Sequence, residues 1–307
     1  MLVPKGSVVK VNLKLTPNSS TDVVNRCPAC ASLKVRRVHS YEGRPILRCG
    51  VCRLDFMLDN LDAQEGSSRH NSTTTPHDLV ESYSHTRDQD VRAARASLSL
   101  RLPVWEAAFG GRLSSACEIG CSTGTGFLGF QEHGVEWLGL EADARWVDLG
   151  REKGAPIVAA DLADLDRHFD LIYCHQVLEH IWDPKTFMRS IFECLNPGGV
   201  VHIAVPNHAG FTSRVRRTIP TFFPHEFGML QPPHHLRAYS PHTLGNLFEN
   251  CGFLPIEVRG VSHTDPCWGE WFHDRGPLRN RLVFGAGAKL GLGTLLFGYA
   301  IKPRVSS

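Results

Sequence analysis

Beyond Gly111, short apolar runs alternate with stretches of helical spacing. This alternation is typical of an α/β protein in which helices connect parallel strands, so it predicts helices in most of the gaps between the runs. The runs themselves predict six strands, near Ser115–Ile119, Glu136–Glu141, Pro156–Ala159, Phe169–Cys174, Gly199–Val205 and Phe253–Val258.

The chain before this sheet predicts two further regions. From Asp78 to Phe109 the apolar residues have irregular helical spacing, and because Pro103 lacks the N–H that a helix interior uses, the segment predicts two helices. From Asp59 to His77 the residues are polar and rich in serine and threonine, as in a linker. The expected organisation is a small module over 1–58, a linker over 59–77 and an α/β domain over 78–302.

One connection in the α/β domain is long. Residues 206–240 are rich in proline and histidine and do not follow the alternation of strands and helices. Because connections of this length in compact domains are usually functional, we expect this segment to form a lid.

Four cysteines in the N-terminal region stand in two C-x-x-C pairs, with 18 residues between the pairs. This spacing is typical of a structural zinc site with four thiolate ligands, and the residues between the pairs predict a β-hairpin. Four unrelated buried thiols and a dithiol redox site remain as alternatives. The predicted zinc ligands are Cys27, Cys30, Cys49 and Cys52.

Composition adds limits on the class of protein. The 307 residues are 42% hydrophobic, which is enough for a buried core, and the net charge of +2 creates no overall attraction to nucleic acid or anionic lipid. No N-terminal apolar run resembles a secretory signal, so a cytoplasmic protein with reduced cysteines is expected. The apolar stretch from Leu282 to Ile301 approaches the length of a membrane span, but it contains Lys289 and five glycines, which favours a soluble fold.

A glycine-rich loop follows the first strand of the α/β domain. Gly124, Gly126 and Gly129 satisfy G-x-G-x-x-G, the pattern of dinucleotide-binding oxidoreductases. That pattern should begin directly after the strand, whereas here it starts four residues after Gly120, so its register argues against NAD. Glu141 lies 21 residues beyond Gly120, where a carboxylate can accept hydrogen bonds from ribose hydroxyls.

A second acid follows the third predicted strand. Asp161, which precedes Leu162, could accept a hydrogen bond from an adenine amino group, or it could instead cap the N-terminus of a helix.

Over residues 112–260 the sequence resembles the class I S-adenosylmethionine-dependent methyltransferases. The stretches that carry the resemblance are CEIGCSTGTGF, WLGLEAD, the Asp161 segment, FDLIYCHQVLEHIWDP and LNPGGVVHIAVPN, in that order. The resemblance implies a Rossmann-like sheet of seven strands whose last strand is antiparallel, and Leu295 to Lys302 is the candidate for that strand. It also implies cofactor-binding roles for Glu118, Gly120, Gly124, Gly126, Glu141, Asp161, Leu162 and Gln176.

Two histidines are candidates for the base that removes a proton from the methyl acceptor. His180 follows the fourth predicted strand, and Leu178-Glu179-His180 resembles O-methyltransferases that act on ubiquinone precursors. In some of those enzymes a carboxylate three positions before the glutamate helps to bind a divalent metal, but here that residue is Gln176. His235 in the lid is the second candidate, and a structural role for Glu179 and His180 is the alternative.

The acceptor expected from this resemblance is a small molecule or a glycan. The PPHHL stretch of the lid resembles methyltransferases associated with sugar modification. Arg214, Arg216 and Arg217 could bind an acceptor phosphate, or they could lie on a solvent-exposed helix face, which is the favoured alternative. The first alternative is methylation of RNA or protein, because five basic residues separate the cysteine pairs, although the near-neutral charge elsewhere argues against nucleic acid. The second is a non-catalytic cofactor-binding scaffold. The five basic residues are Lys34, Arg36, Arg37, Arg44 and Arg48.

Overall fold

The computed structural model describes residues 26–41, 44–57, 76–211, 213–214, 230, 235–261 and 292–304. The strands in chain order are β1 (Val35–Tyr41), β2 (Arg44–Cys49), β3 (Asp55–Met57), β4 (Ser115–Ile119), β5 (Glu136–Leu140), β6 (Ile157–Val158), β7 (Phe169–His175), β8 (Leu195–Pro206), β9 (Arg237–Ala238), β10 (Leu254–Val261) and β11 (Leu295–Ile301). The helices are α1 (Pro76–Phe109), α2 (Phe127–Glu132), α3 (Ala144–Glu152), α4 (Pro184–Cys194) and α5 (Pro241–Asn250).

Seven strands form the main sheet, in the order β10-β11-β8-β7-β4-β5-β6. The pairs from β8 to β6 are parallel, whereas β11 is antiparallel to both β8 and β10. This arrangement confirms the predicted seven-stranded, Rossmann-like sheet with an antiparallel last strand. Strand β7 lies at the centre and is buried over six of its seven residues, as expected of a parallel strand covered on both faces.

The strand predictions hold with small changes in length. Strand β8 begins at Leu195 rather than at Gly199, and β10 extends to Val261. The third predicted strand is reduced to Ile157–Val158 at the edge of the sheet, where only β5 pairs with it.

The prediction of two helices before the sheet is wrong, because α1 continues through Pro103. The proline removes one backbone hydrogen bond within the helix. On either side of it, Leu102 and Trp105 are buried at 4% and 0% exposure in the apolar cluster beneath the sheet. Burial of large side chains contributes about 1.5–3 kcal/mol each, which offsets the cost of the proline.

A second sheet contains β1, β2, β3 and β9, all antiparallel. The predicted hairpin between the cysteine pairs is confirmed as β1 and β2. We call residues 26–57, with their four cysteines, the cysteine module. Its last strand, β3, pairs with β9 at the end of the lid, and Phe56 belongs to the same apolar cluster as Tyr239 and Leu244 of the α/β domain.

Parts of the predicted linker and lid, namely residues 58–75, 212, 215–229 and 231–234, lie outside the described residues. None of the helices that the structure describes is long and apolar enough to cross a membrane. Of the apolar stretch from Leu282 to Ile301, residues 282–291 lie outside the described part, and Leu295–Ile301 is strand β11.

Candidate functional site

The glycine loop turns sharply where β4 ends. Gly120 has φ +72°, and a Cβ atom at this position would lie 2.5 Å from Cγ2 of Val177. Gly124 has φ +68°, and a Cβ atom there would lie 3.1 Å from the Trp137 ring. Both positions therefore require glycine, because a side chain would be strained and also crowded. The turn holds the loop close against the segments that follow the neighbouring strands.

Glu141 joins this loop to the end of β5. Its Oε2 accepts a hydrogen bond of 2.8 Å from the Ser122 N–H, and its Oε1 accepts one of 3.1 Å from the Asp143 N–H. The side chain is only partly buried, so the carboxylate retains an open side. The structure thus brings the predicted ribose acid and the glycine loop together.

Glu118, near the end of β4, is held in place by a chain of two hydrogen bonds. The Tyr173 hydroxyl donates a hydrogen bond of 2.7 Å to Glu118 Oε2, and the Trp137 Nε1–H donates one of 3.0 Å to the Tyr173 oxygen. Burial raises the pKa of Glu118 to about 7. A Cβ atom at Gly126 would lie 3.4 Å from Glu118 Oε2, so Gly126 leaves room above this carboxyl. Sequence reasoning missed Tyr173, although a polar aromatic residue in an aliphatic strand was a signal.

Asp161 follows β6 and occupies the N-cap position of a short 3-10 turn, Leu162–Asp164. Its side chain makes no capping hydrogen bond, so the geometry does not support the alternative of a helix cap. Burial raises the pKa of Asp161, with Asp164 adding to the effect. Leu162 is 6% exposed and packs in the main core.

Gln176 follows β7 with φ +57°, a conformation that is rare for residues other than glycine. Its buried Nε2 has no hydrogen-bond partner among the described residues. With Gly120, Glu141 and Asp161, it lies at the carboxyl ends of neighbouring parallel strands, where open α/β sheets bind ligands. The orphaned amide is the kind of group that a bound ligand satisfies.

The two candidate histidines lie together. The rings of His180 and His235 have centroids 5.0 Å apart and are tilted by 68°. His180 belongs to the 3-10 turn Leu178–His180 after β7, and His235 lies just before β9. The backbone brings them together, since the Leu236 N–H donates a 2.9 Å hydrogen bond to the Glu179 carbonyl.

Glu179 lies next to these two rings, and only 1% of its surface is exposed. Neither carboxyl oxygen has a hydrogen-bond partner among the described residues, and burial raises the pKa of the group to about 8. Its Oε1 lies 3.9 Å from His180 Nε2, which is too long for a hydrogen bond. No hydrogen bond therefore joins the side chains of Glu179 and His180.

Glu179, His180 and His235 each offer one ligand atom, and these atoms all lie within 4.8 Å of one another. A carboxylate with two imidazoles is a donor set that suits divalent transition metals. The buried carboxyl without a partner fits the same use, because such groups are normally satisfied. These three residues could hold a cation at the edge of the sheet where the predicted cofactor-binding residues lie.

The four predicted zinc ligands also converge. The sulfur atoms of Cys27 and Cys52 are 3.4 Å apart, those of Cys30 and Cys49 are 3.6 Å apart, and all four are within 4.8 Å of one another. Four thiolates at about 2.3 Å from one zinc ion would be about 3.8 Å apart. The Val51 and Cys52 N–H groups donate to Cys49 Sγ, as at a thiolate that carries negative charge. This cluster could hold a structural zinc ion.

Several other candidates are not brought to the site. Arg48 pairs with Asp55, its Nε lying 2.6 Å from Asp55 Oδ1, so it is engaged within the cysteine module. Arg214 is exposed and donates to the Ala209 carbonyl. The other two candidate phosphate ligands, Arg216 and Arg217, lie outside the described residues.

Comparison with known proteins shows which protein family this chain matches. Residues 83–258 match the model of a family described as a methyltransferase domain, which covers more than half of the chain. A probable S-adenosylmethionine-dependent methyltransferase of Mycolicibacterium smegmatis is 30% identical over 151 residues, 48% of this chain and 54% of that protein. This chain therefore spans about half the length of that relative.

Two further similarities concern a named enzyme and a solved structure. A ubiquinone biosynthesis O-methyltransferase of Chelativorans sp. (strain BNC1) is 25% identical over 256 residues, 78% of this chain and 83% of that protein. The crystal structure of the plantazolicin methyltransferase with S-adenosylhomocysteine and a substrate analogue superposes with a TM-score of 0.51 at 16% identity, over 80% of this chain and 96% of that one. At this identity, the structural match supports the fold alone.

Proposed function

Since this chain belongs to the methyltransferase-domain family, we propose that it is an S-adenosylmethionine-dependent methyltransferase that methylates a hydroxyl group of a small-molecule or glycan acceptor. The observation that carries this proposal is the pair of imidazoles, His180 and His235, placed 5.0 Å apart beside the buried carboxyl of Glu179. A hydroxyl must lose its proton during methylation, and histidine titrates in the range that suits such a base. The name of the ubiquinone O-methyltransferase relative supports the same class of acceptor.

The proposed cofactor site is the carboxyl edge of β4, β5, β6 and β7. When bound there, S-adenosylmethionine supplies a methyl group on a sulfonium, which is a good electrophile. Glu141 would accept hydrogen bonds from the ribose hydroxyls, Asp161 and Leu162 would contact the adenine, and Gln176 would satisfy its buried amide on the ligand. Glu118 and the turn at Gly120, Gly124 and Gly126 would line the side of the amino acid moiety.

His180 is the proposed base. It would accept the proton that the acceptor hydroxyl loses as its oxygen takes the methyl group that the bound cofactor would supply, which would leave the methyl ether, S-adenosylhomocysteine and a protonated imidazole. Holding the acceptor in line with the methyl–sulfur bond is the larger task of the protein, and the lid that carries His235 is suited to it. His235 is the second candidate for the base.

A divalent cation at Glu179, His180 and His235 is an extension of this proposal. It would lower the pKa of a coordinated acceptor hydroxyl, and His180 would then serve as a ligand. Because Gln176 stands where some similar enzymes have a metal-binding carboxylate, only three protein side chains would coordinate the cation. Further coordination positions would then stay open for the acceptor. A rise in turnover on addition of Mn²⁺ tests this version.

We further infer that Cys27, Cys30, Cys49 and Cys52 hold a structural zinc ion, because a closed set of four thiolates leaves no position for a substrate. A phosphate on the acceptor and a cytoplasmic location remain predictions from the sequence.

Transfer of a radiolabelled methyl group from S-adenosylmethionine into fractionated lysate, with and without ribonuclease, tests the acceptor class. We expect label in the small-molecule or glycan fraction and no effect of ribonuclease. His180→Ala should lower the transfer by about 10²–10⁴-fold while leaving the affinity for S-adenosylhomocysteine unchanged. The exposed His242, which is bonded to Asn246 on α5, provides the control substitution His242→Ala.

Two outcomes would overturn the proposal. Label in RNA or protein would move the acceptor to the first alternative class, in which the cysteine module holds a macromolecule. Tight cofactor binding with no labelled fraction would favour a non-catalytic scaffold.

A further inference from the structure

Both ends of the lid are attached to strand β3 of the cysteine module. At the start of the lid, His208 Nε2 lies 3.0 Å from Asp55 Oδ2. At its end, β9 pairs with β3, with Asp55 opposite Ala238 and Phe56 opposite Arg237. The module therefore forms the base on which the described parts of the lid are anchored.

Arg237 connects this base to the candidate active site. Its side chain is 3% exposed, and its guanidinium lies 4.8 Å from the centre of the Trp182 ring. Nη1 donates hydrogen bonds to the carbonyls of Met57 at 3.0 Å and Leu236 at 2.8 Å, and Nη2 donates to the carbonyl of Trp182 at 2.7 Å. One buried side chain thus binds the module, the lid and the segment after β7.

Two of the three carbonyls belong to residues that are close in sequence to the two histidines. Trp182 lies two residues after His180, and Leu236 directly follows His235. The Leu236 N–H also donates a hydrogen bond to the Glu179 carbonyl, which is a second link between the same two backbone segments. Arg237 therefore joins the two backbone segments that carry His180 and His235.

We propose that Arg237 is a positioning residue through which the cysteine module fixes the arrangement of His180 and His235. The inference rests on the proposed function for the roles of the two histidines, but the geometry does not depend on those roles. Arginine suits this task because its planar guanidinium directs several donors at fixed angles, whereas the point charge of lysine cannot reproduce them. The module also contacts helix α5 directly, since the Thr243 hydroxyl donates a hydrogen bond to the Cys52 carbonyl.

The test measures the contact between the two rings and needs no acceptor. In the full-length protein with labelled histidines, His235→Ala should shift the ring-proton NMR signals of His180, because the rings lie 5.0 Å apart. In an Arg237→Met background, most of that shift should be lost. The matched control is Arg36→Met, an exposed arginine on the far strand of the same sheet, which should leave the shift unchanged.

Arg237→Lys should retain part of the shift that His235→Ala causes. Removal of zinc by a chelator should reduce that shift in a chain that keeps Arg237. The affinity for S-adenosylhomocysteine, measured on every variant, reports whether the α/β domain is folded. If Arg237→Met fails to bind that ligand, Arg237→Lys and the chelated wild type decide the question.

A His235-dependent shift that is the same in Arg237→Met, Arg237→Lys and the chelated chain would overturn the proposal. Failure of the proposed function gives a different result, namely no methyl transfer from a chain whose ring contact still depends on Arg237.

Discussion

Glu118→Gln should change how the stability of the protein depends on pH. Burial raises the pKa of Glu118 to about 7, from an ordinary value of 4.5. A carboxyl whose pKa is raised by folding binds more protons in the folded than in the unfolded state between these two values, so stability must fall as the pH rises through this window. The variant keeps an oxygen that can accept the Tyr173 hydrogen bond but has no charge to bury.

The size of the effect follows from the two pKa values. At 1.36 kcal/mol for each pKa unit, the full difference corresponds to about 3 kcal/mol, of which about 2.5 kcal/mol falls between pH 5 and pH 8. The free energy of unfolding of Glu118→Gln, minus that of the wild type, should therefore be larger at pH 8 than at pH 5 by about 2.5 kcal/mol, so the variant gains stability relative to the wild type as the pH rises.

Urea unfolding at pH 5, 6.5 and 8, followed by fluorescence, measures this difference, and equal m-values for variant and wild type are required for the comparison. The exposed Glu249 on α5 provides the control Glu249→Gln, whose effect should not depend on pH. The reasoning is refuted if the stability difference between Glu118→Gln and the wild type is the same at all three pH values.

Three further substitutions test other parts of the structure. Glu141→Ala should weaken the binding of S-adenosylhomocysteine by about 1–3 kcal/mol in calorimetry, because the ribose hydroxyls and the Ser122 N–H lose their acceptor, and an unchanged affinity would contradict the assignment. Cys27→Ser should lose zinc and destabilise the cysteine module while cofactor binding persists; elemental analysis that still finds the metal would rule out the four-thiolate site. Gly120→Ala should destabilise the protein by about 1–3 kcal/mol, since its φ is +72° and its Cβ would meet Val177, and a normal unfolding midpoint would count against the described turn.

Much of the fold could be predicted from local patterns. The alternation of apolar runs and helical stretches identified the strands of the main sheet, because residues that are buried on both faces of a strand must be apolar. The glycine loop and the acids Glu141 and Asp161 were found because each directly follows such a strand. Their position at one edge of the sheet follows from the parallel topology alone.

The continuation of α1 could not be predicted in the same way. The sequence contains the local cost of Pro103, but the compensating burial of Leu102 and Trp105 depends on a sheet that forms from later residues. The same holds for Glu179, whose side chain is buried and, among the described residues, has no hydrogen-bond partner, although local sequence gives no sign of either.

The sequence by itself determined the elements, the cysteine spacing and the class of chemistry, because these depend on residues that are close along the chain. Only the tertiary structure decided that His235 meets His180, that β3 pairs with β9, and that Arg237 bonds to Met57 and Trp182. These contacts join residues that are far apart in sequence. The acceptors of Arg237 are backbone carbonyls, which every residue has, so no sequence pattern identifies them. Such pairings depend on the packing of the whole domain. A buried guanidinium is costly without hydrogen-bond acceptors, and the tertiary structure decides which carbonyls lie within its reach.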